Sequence, residues 1–284
     1  MTSDLLALAA ILLWASLAAL GVSLAHVPPF LLTGLGLLIG SLIALPLSGL
    51  RWSAFRVPPA TLALGVYGLF VYHLLLFIAL RTAPAVEANL INYLWPLGMV
   101  VLAPLVLPGL RLTGGQLGAA LLGFAGAALA ILGRSPAGAG GWTPSFHSGY
   151  LFALGAAFVW STYSLGTRRV PAFDTAAVGS FAAVSGLLSL ACHWALEPAT
   201  TLSTSDWAAI ALLGLGPLGG AFFLRDAAIK RGDPRRIGLL ANLTPLLSTC
   251  VLLLVTRQPP TVHILAAAVM IICAALWGRR GTGG

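Results

Sequence analysis

Asn89, Asn92, Tyr93 and Pro96 fall at i, i+3, i+4 and i+7 of a long apolar run, so a helix carries them as one stripe, with Trp95 on its flank. Trp160, Tyr163, Ser164 and Thr167 repeat that spacing in a later run. The chemistry on offer is recognition rather than bond making. Indole and phenol rings give flat faces on which an apolar side chain can stack, while amides and hydroxyls hydrogen-bond the polar end of the same small molecule. Against lipid such residues have no use, so they mark the interior faces of their helices. Hydrogen bonding between helices accounts for the asparagines equally well. It does not account for Tyr and Trp at mid-depth, because aromatic belts sit at the membrane interfaces. Trp95 comes 11 residues after Pro84, and Trp160 comes 8 before Arg168. Along a helix these are roughly 16 and roughly 12 Å, central in a bilayer.

A third run brings Gly65, Gly68 and Tyr72 to one helical face, with His73 about 100° away. The glycines let helices approach closely, and Tyr72 projects beyond that contact. His73 reads as cavity lining, as an interhelical hydrogen-bonding group or as a titrating switch. It is not expected to hold a metal, since no second His or carboxylate stands at helical spacing nearby. Glu87, about one turn inside the fourth run, is a candidate ion or ammonium site, or simply a partner for Arg81. Arg225 and Asp226 read as a structural salt bridge close to Lys230, and Asp174, Asp233 and Glu197 as uninformative loop residues. Cys192, Cys250 and Cys273 lie in apolar runs without metal-type spacing and read as small buried hydrophobes. With no His-rich cluster, Walker-type loop or Gly-x-Ser-x-Gly turn, neither a cofactor, a metal site nor an enzyme is expected.

The elements that must position these residues are membrane helices. Of 284 residues, 59% are hydrophobic and only 8% charged, and the mean hydropathy is +0.98. This composition excludes a soluble protein and makes the lipid bilayer an obligatory partner. Apolar stretches run over about 5–24, 30–50, 60–80, 86–107, 115–132, 149–167, 175–196, 207–229, 237–255 and 262–277. They are too long for barrel strands, and lipid offers nothing to an open strand edge, so the expected fold is all-α with ten transmembrane helices. With the N-terminus in the cytoplasm, 11 of the 15 basic residues fall inside and only Arg81, Arg134 and Arg257 outside. Both termini are therefore expected in the cytoplasm. In such a chain the net charge of +8 is the positive-inside signal and not a nucleic-acid surface.

The two halves echo each other. Trp14-Ala15-Ser16 recurs as Trp160-Ser161-Thr162 at an offset of 146, Pro84 and Asn92 as Pro234 and Asn242 at 150, Pro96-Leu97 as Pro245-Leu246 at 149, and Thr113 as Thr261 at 148. Two five-helix repeats are expected over 1–134 and 149–284, joined by a glycine-rich loop at 135–148. Five is odd, so the second repeat enters the membrane from the opposite face. That is the inverted topology of secondary transporters, whose sites lie near the midplane. Pro96 and Pro245 then sit at matching places, as hinges or as fixed kinks.

The segment Ala79-Leu80-Arg81-Thr82-Ala83-Pro84-Ala85-Val86-Glu87-Ala88-Asn89-Leu90, followed by Pro96 and by Arg111-Leu112-Thr113 ahead of a Gly-rich span, resembles the drug/metabolite transporter superfamily with the EamA repeat. Asn92-Tyr93-Leu94-Trp95-Pro96 with Trp160 and Tyr163 is similar to the aromatic amino-acid exporters of that superfamily. Gly109-Leu110-Arg111 stands where many members have an acidic residue, and the first span carries Trp14 and no carboxylate. Proton coupling by the route of the small multidrug relatives is therefore not carried over. The resemblance implies a carrier in a bacterial cytoplasmic (inner) membrane, monomeric or homodimeric, that exports aromatic and other small neutral amino acids or related metabolites by alternating access. The residues expected to bind are Tyr72, His73, Asn92, Tyr93, Trp95, Trp160, Tyr163 and Ser164. Efflux of lipophilic cationic drugs, with Glu87 as counter-charge, is the alternative, because the same ring faces bind ammonium groups.

Overall fold

The computed structural model describes residues 2–24, 26–83, 88, 91–132, 147–256 and 262–280, and every regular element named among them is helical. Helix α1 (Ser3–Ala15) begins under Thr2, whose hydroxyl accepts from the Leu5 amide, and α2 (Leu17–Ser23) continues beyond a break at Ser16. Two proline pairs start the next spans: Pro28-Pro29 opens α3 (Pro29–Ser41), followed by the short α4 (Ala44–Leu47), and Pro58-Pro59 opens α5 (Pro59–Val66). Proline suits these first positions because its missing N–H has no intrahelical partner there anyway. A π-turn at Tyr67–Val71 leads α5 into α6 (Tyr72–Thr82). Then come α7 (Trp95–Val106), α8 (Gly114–Leu132), α9 (Gly149–Gly166), α10 (Val178–Leu196) and α11 (Thr204–Leu215). A second π-turn, Gly216–Gly220, joins α11 to α12 (Ala221–Arg231), and α13 (Pro234–Ala241), α14 (Leu243–Thr256) and α15 (Val262–Arg280) complete the order.

Among the described residues, Pro29–Leu47, Pro59–Ala79, Thr175–Leu196 and Thr204–Arg231 are long and apolar enough to cross a membrane, and Ser3–Ala15, Trp95–Val106, Gly114–Leu129 and Leu265–Ala274 are shorter apolar helices. They lie on the apolar runs of the sequence, but several of those runs are interrupted. The fourth breaks into a turn at Tyr93–Leu94, so the single stripe expected from Asn89 to Pro96 is not one continuous helix. Pro96 is the reason: it has no amide to give the Asn92 carbonyl, so the ladder lapses into a tight turn there, in which the Leu94 amide bonds to the Ile91 carbonyl and Leu94 keeps helical dihedrals. The ninth breaks at Asn242, three residues ahead of Pro245. In the third run the π-turn puts an extra residue into the helix between Gly65 and Tyr72, so these two do not keep the common face that a regular helix would give them.

Two compact units result, and each draws on both halves of the sequence: one comprises 1–71 and 166–232, the other 72–165 and 233–284. In the first, α3 lies against α10 and α11. Its contact with α10 is backbone-close, since a Cβ on Gly34 would come 3.1 Å from the Gly186 carbonyl oxygen and a Cβ on Gly186 3.0 Å from that of Gly34. The ends of this unit are tied by polar groups. Glu197, its side chain only 1% exposed, accepts from the Phe30 and Leu31 amides at 2.9 and 3.1 Å and so caps α3. His193 Nδ1 lies 3.0 Å from the same carboxylate. Ser203 and Asp206 form a capping box on α11. Asp226 pairs with Lys230 and accepts from Thr175, as a structural ion pair should, while Arg168 donates to the Ile229 carbonyl and so covers the end of α12.

In the second unit α8 and α15 pack along their lengths, and α13 crosses α7. Buried Arg235 holds Asp233 at 2.8 Å and donates to the Arg111 carbonyl and to Gln116 Oε1. Large apolar side chains such as Leu105 on α7, Leu151 on α9 and Leu254 on α14 stand exposed, as they must where lipid replaces water.

Candidate functional site

Within the second unit the first turn of α6, the start of α7 and the C-terminal half of α9 bring an aromatic group together. Trp160 is at its centre. Its ring centroid is 4.9 Å from Tyr72, 5.6 Å from Tyr163 and 6.3 Å from Trp95, the last in an edge-to-face arrangement. Tyr72 also meets His73 edge-on at 5.0 Å, and His73 lies 6.0 Å from Phe77. These spacings are those at which ring quadrupoles attract one another, so the rings hold each other in fixed orientations. Trp95, Trp160, Tyr163 and His73 are buried, and Tyr72 is half-buried.

Backbone and hydroxyl contacts fix the group further. Ser161 Oγ lies 2.7 and 2.9 Å from the carbonyl oxygens of Ala157 and Trp95, which share its one hydrogen. It thereby holds the first residue of α7 against α9. Asn92 Nδ2 donates to Tyr72 Oη at 3.2 Å, which joins the amide to the ring stack. Chemically the arrangement is a set of rigid ring faces with an amide and a phenol hydroxyl at one edge, suited to a small molecule with an apolar body and a polar end.

Of the residues expected from the sequence, the structure gathers Tyr72, His73, Asn92, Trp95, Trp160 and Tyr163 by these contacts. Ser164 stands beside them, but its hydroxyl donates back to the Trp160 carbonyl within α9. Tyr93 is half-buried in the turn just before α7. Pro96 and Pro245 are both buried in the first turns of α7 and α14, where each begins a helix instead of bending one. Glu87 and Asn89, like Arg134 and Arg257 used for orientation, lie outside the described residues. No group of three or more His, Cys, Asp or Glu able to hold a metal occurs among the described residues. Ser161 and Phe77 were not anticipated from the sequence. The serine could have been found from its place one residue after Trp160; for Phe77, one apolar residue in an apolar run, there was no signal.

Comparison with known proteins then decides the family. The profile of the EamA-like transporter family matches residues 1–132 and 147–277. The chain belongs to the EamA-like transporter family. The aromatic amino acid exporter YddG of Ancylobacter novellus is 38% identical over 286 residues, which is 98% of this chain and 99% of that one. A solved crystal structure, also 38% identical, covers 97% of this chain and 94% of its own with a TM-score of 0.89. As an EamA-family protein the chain is a transporter and not an enzyme, and a multi-pass protein of the cytoplasmic membrane.

Proposed function

We propose that the protein exports aromatic and other small neutral amino acids, or related metabolites, across the cytoplasmic membrane by alternating access. The observation that carries this reading is the ring group around Trp160, with the Asn92–Tyr72 hydrogen bond at its edge. A site of aromatic faces and neutral polar groups favours a solute with an apolar ring and no net charge. The name of the Ancylobacter novellus relative points the same way.

The proposed membrane architecture is ten spans in two inverted five-helix repeats, residues 1–134 and 149–284, with both termini cytoplasmic. Supporting it, the π-turn at Gly216–Gly220 follows that at Tyr67–Val71 by 149 residues. Helix breaks likewise precede both Pro96 and Pro245, also 149 apart. These breaks are the proposed hinges. Trp95 and Trp160 come from opposite repeats yet face each other, which suits a site built at the repeat axis.

Counterflow into proteoliposomes tests the function. Vesicles preloaded with unlabelled phenylalanine should accumulate labelled phenylalanine saturably, and tryptophan and tyrosine should compete. Uptake that ignores amino acids but is inhibited by lipophilic quaternary ammonium ions would select cation efflux instead. Topology is tested separately, with single cysteines in a background lacking Cys192, Cys250 and Cys273. Cysteines at Arg134 or Arg257 should react with an impermeant reagent from outside, and those at Arg56 or Arg279 should not. The opposite pattern would reverse the assigned direction.

A further inference from the structure

Asn92 carries a buried oxygen that ordinary protein structure would not leave alone. While its Nδ2 donates to Tyr72 Oη, its Oδ1 is closed to solvent and has no hydrogen-bond partner among the described residues. The residue as a whole is only 4% exposed. Buried acceptors are nearly always satisfied, because the lost hydration is not returned otherwise. An exception next to a ring group is a place where a ligand can supply the missing donor. The repeat equivalent makes the contrast plain: Asn242 Nδ2 donates to the Leu239 carbonyl and its side chain packs on Gly123, so that amide serves the helix end.

The chemistry of the pair narrows the ligand. Tyr72 Oη accepts from Asn92 and so keeps its own hydrogen to donate. One free acceptor and one donor are thus joined by a single 3.2 Å bond, and the phenol ring of Tyr72 lies 4.9 Å from Trp160. An α-amino acid offers the complement from one carbon atom: ammonium hydrogens to give, carboxylate oxygens to receive, and a side chain to stack. Building on the proposed export of aromatic amino acids, we propose that Asn92 Oδ1 accepts a hydrogen bond from the solute's α-ammonium while the Tyr72 hydroxyl donates to its carboxylate. The rings read the side chain and this pair reads the zwitterion. An amide suits the task better than a carboxylate, because it leaves no unpaired charge in the membrane interior when the site is empty. Had the amide been turned over, Oδ1 would face Tyr72 and two N–H donors would remain, and the site would read only the acid end. The two arrangements predict opposite preferences.

The experiment measures inhibition of labelled phenylalanine counterflow by phenylalanine, by phenethylamine, which lacks the carboxylate, and by 3-phenylpropionate, which lacks the ammonium. It compares the wild-type protein with Asn92→Leu, Asn92→Asp and Tyr72→Phe in proteoliposomes, each first checked for monodispersity. Asn92→Leu should weaken phenylalanine and phenethylamine by roughly 10- to 100-fold and leave 3-phenylpropionate within about threefold. Asn92→Asp, nearly the same shape, should keep phenethylamine binding, which guards against misfolding as the cause. Tyr72→Phe should act on 3-phenylpropionate more than on phenethylamine. The proposal is overturned if Asn92→Leu weakens 3-phenylpropionate as much as phenethylamine, or if it leaves phenethylamine unchanged. If the wild-type protein shows no counterflow of aromatic amino acids, the export reading falls and this subsite with it. If counterflow persists and only the Asn92 pattern fails, export stands and the subsite alone is lost.

Discussion

Trp14 and Trp160 occupy matching places in the two halves of the sequence, as do Asn242 and Asn92, yet the members of each pair are used differently. Trp14 donates its indole N–H to the Pro217 carbonyl inside the second π-turn, at 3.1 Å, and meets Phe222 edge-on. Asn242 donates to a carbonyl of its own helix. Both are absorbed in holding backbone. Trp160 instead lies among Tyr72, Tyr163 and Trp95, and Asn92 keeps a buried oxygen unmatched. Residue type and place in the repeat therefore do not fix what a side chain contacts: the Trp14 and Asn242 donors go to backbone carbonyls, whereas the Asn92 donor goes to a phenol oxygen.

That comparison can be broken by substitution, and the packing members should give the larger effects. Trp14→Ala should cost about 3 kcal/mol of stability, the low end for a Trp truncation since the ring is only half-buried. Thermal stability in detergent should drop, and transport of every solute should fall in step with folded protein. A selective loss of aromatic solutes would instead make Trp14 a binding group. Gly123→Val comes next. A Cβ there would lie 2.8 Å from Asn242 Nδ2, so overpacking should cost about 1 to 3 kcal/mol. Shortening the opposing side chain with Asn242→Ser should recover part of it in the same melting assay.

The residues proposed to bind the solute should show smaller effects that depend on which solute is used. Trp95→Leu and Trp160→Leu should each weaken aromatic amino acids by about 0.5 to 1.5 kcal/mol, roughly 2- to 13-fold, with less loss for threonine, which has no ring. Equal loss across solutes in counterflow would return both residues to packing. The smallest effect belongs to Ser164→Ala. Its hydroxyl hydrogen already goes to the Trp160 carbonyl, so apparent affinity should change by less than about twofold, within the range of a local back-bond of modest net worth.

Much of this was legible in the sequence, for definite reasons. Apolar run length sets the spans, and Trp, Tyr and Asn stand out against lipid, so the members of the ring group could be named before their contacts were known. Prolines announced the interruptions but not their place: Pro96 and Pro245 begin helices, and the turns fall just before them. The π-turns left no residue signature beyond local glycine, and they undid the single face assigned to Gly65 and Tyr72. Glu197 was passed over as a loop carboxylate because the amides it binds lie 166 and 167 residues away. Periodicity cannot report a contact of that range.

The same carboxylate sets an order of events at synthesis. The cap of α3 does not exist until Glu197 has left the ribosome, 167 residues after Phe30, which at 5 to 20 residues per second is on the order of ten to thirty seconds. During that interval the start of α3 has an unfinished end, with the Phe30 and Leu31 amides dependent on water or lipid headgroups. Insertion of α3 and its completion are therefore separate steps, and an insertase or chaperone that shelters young membrane segments would find this end open for longer than any contact within α3 would leave it.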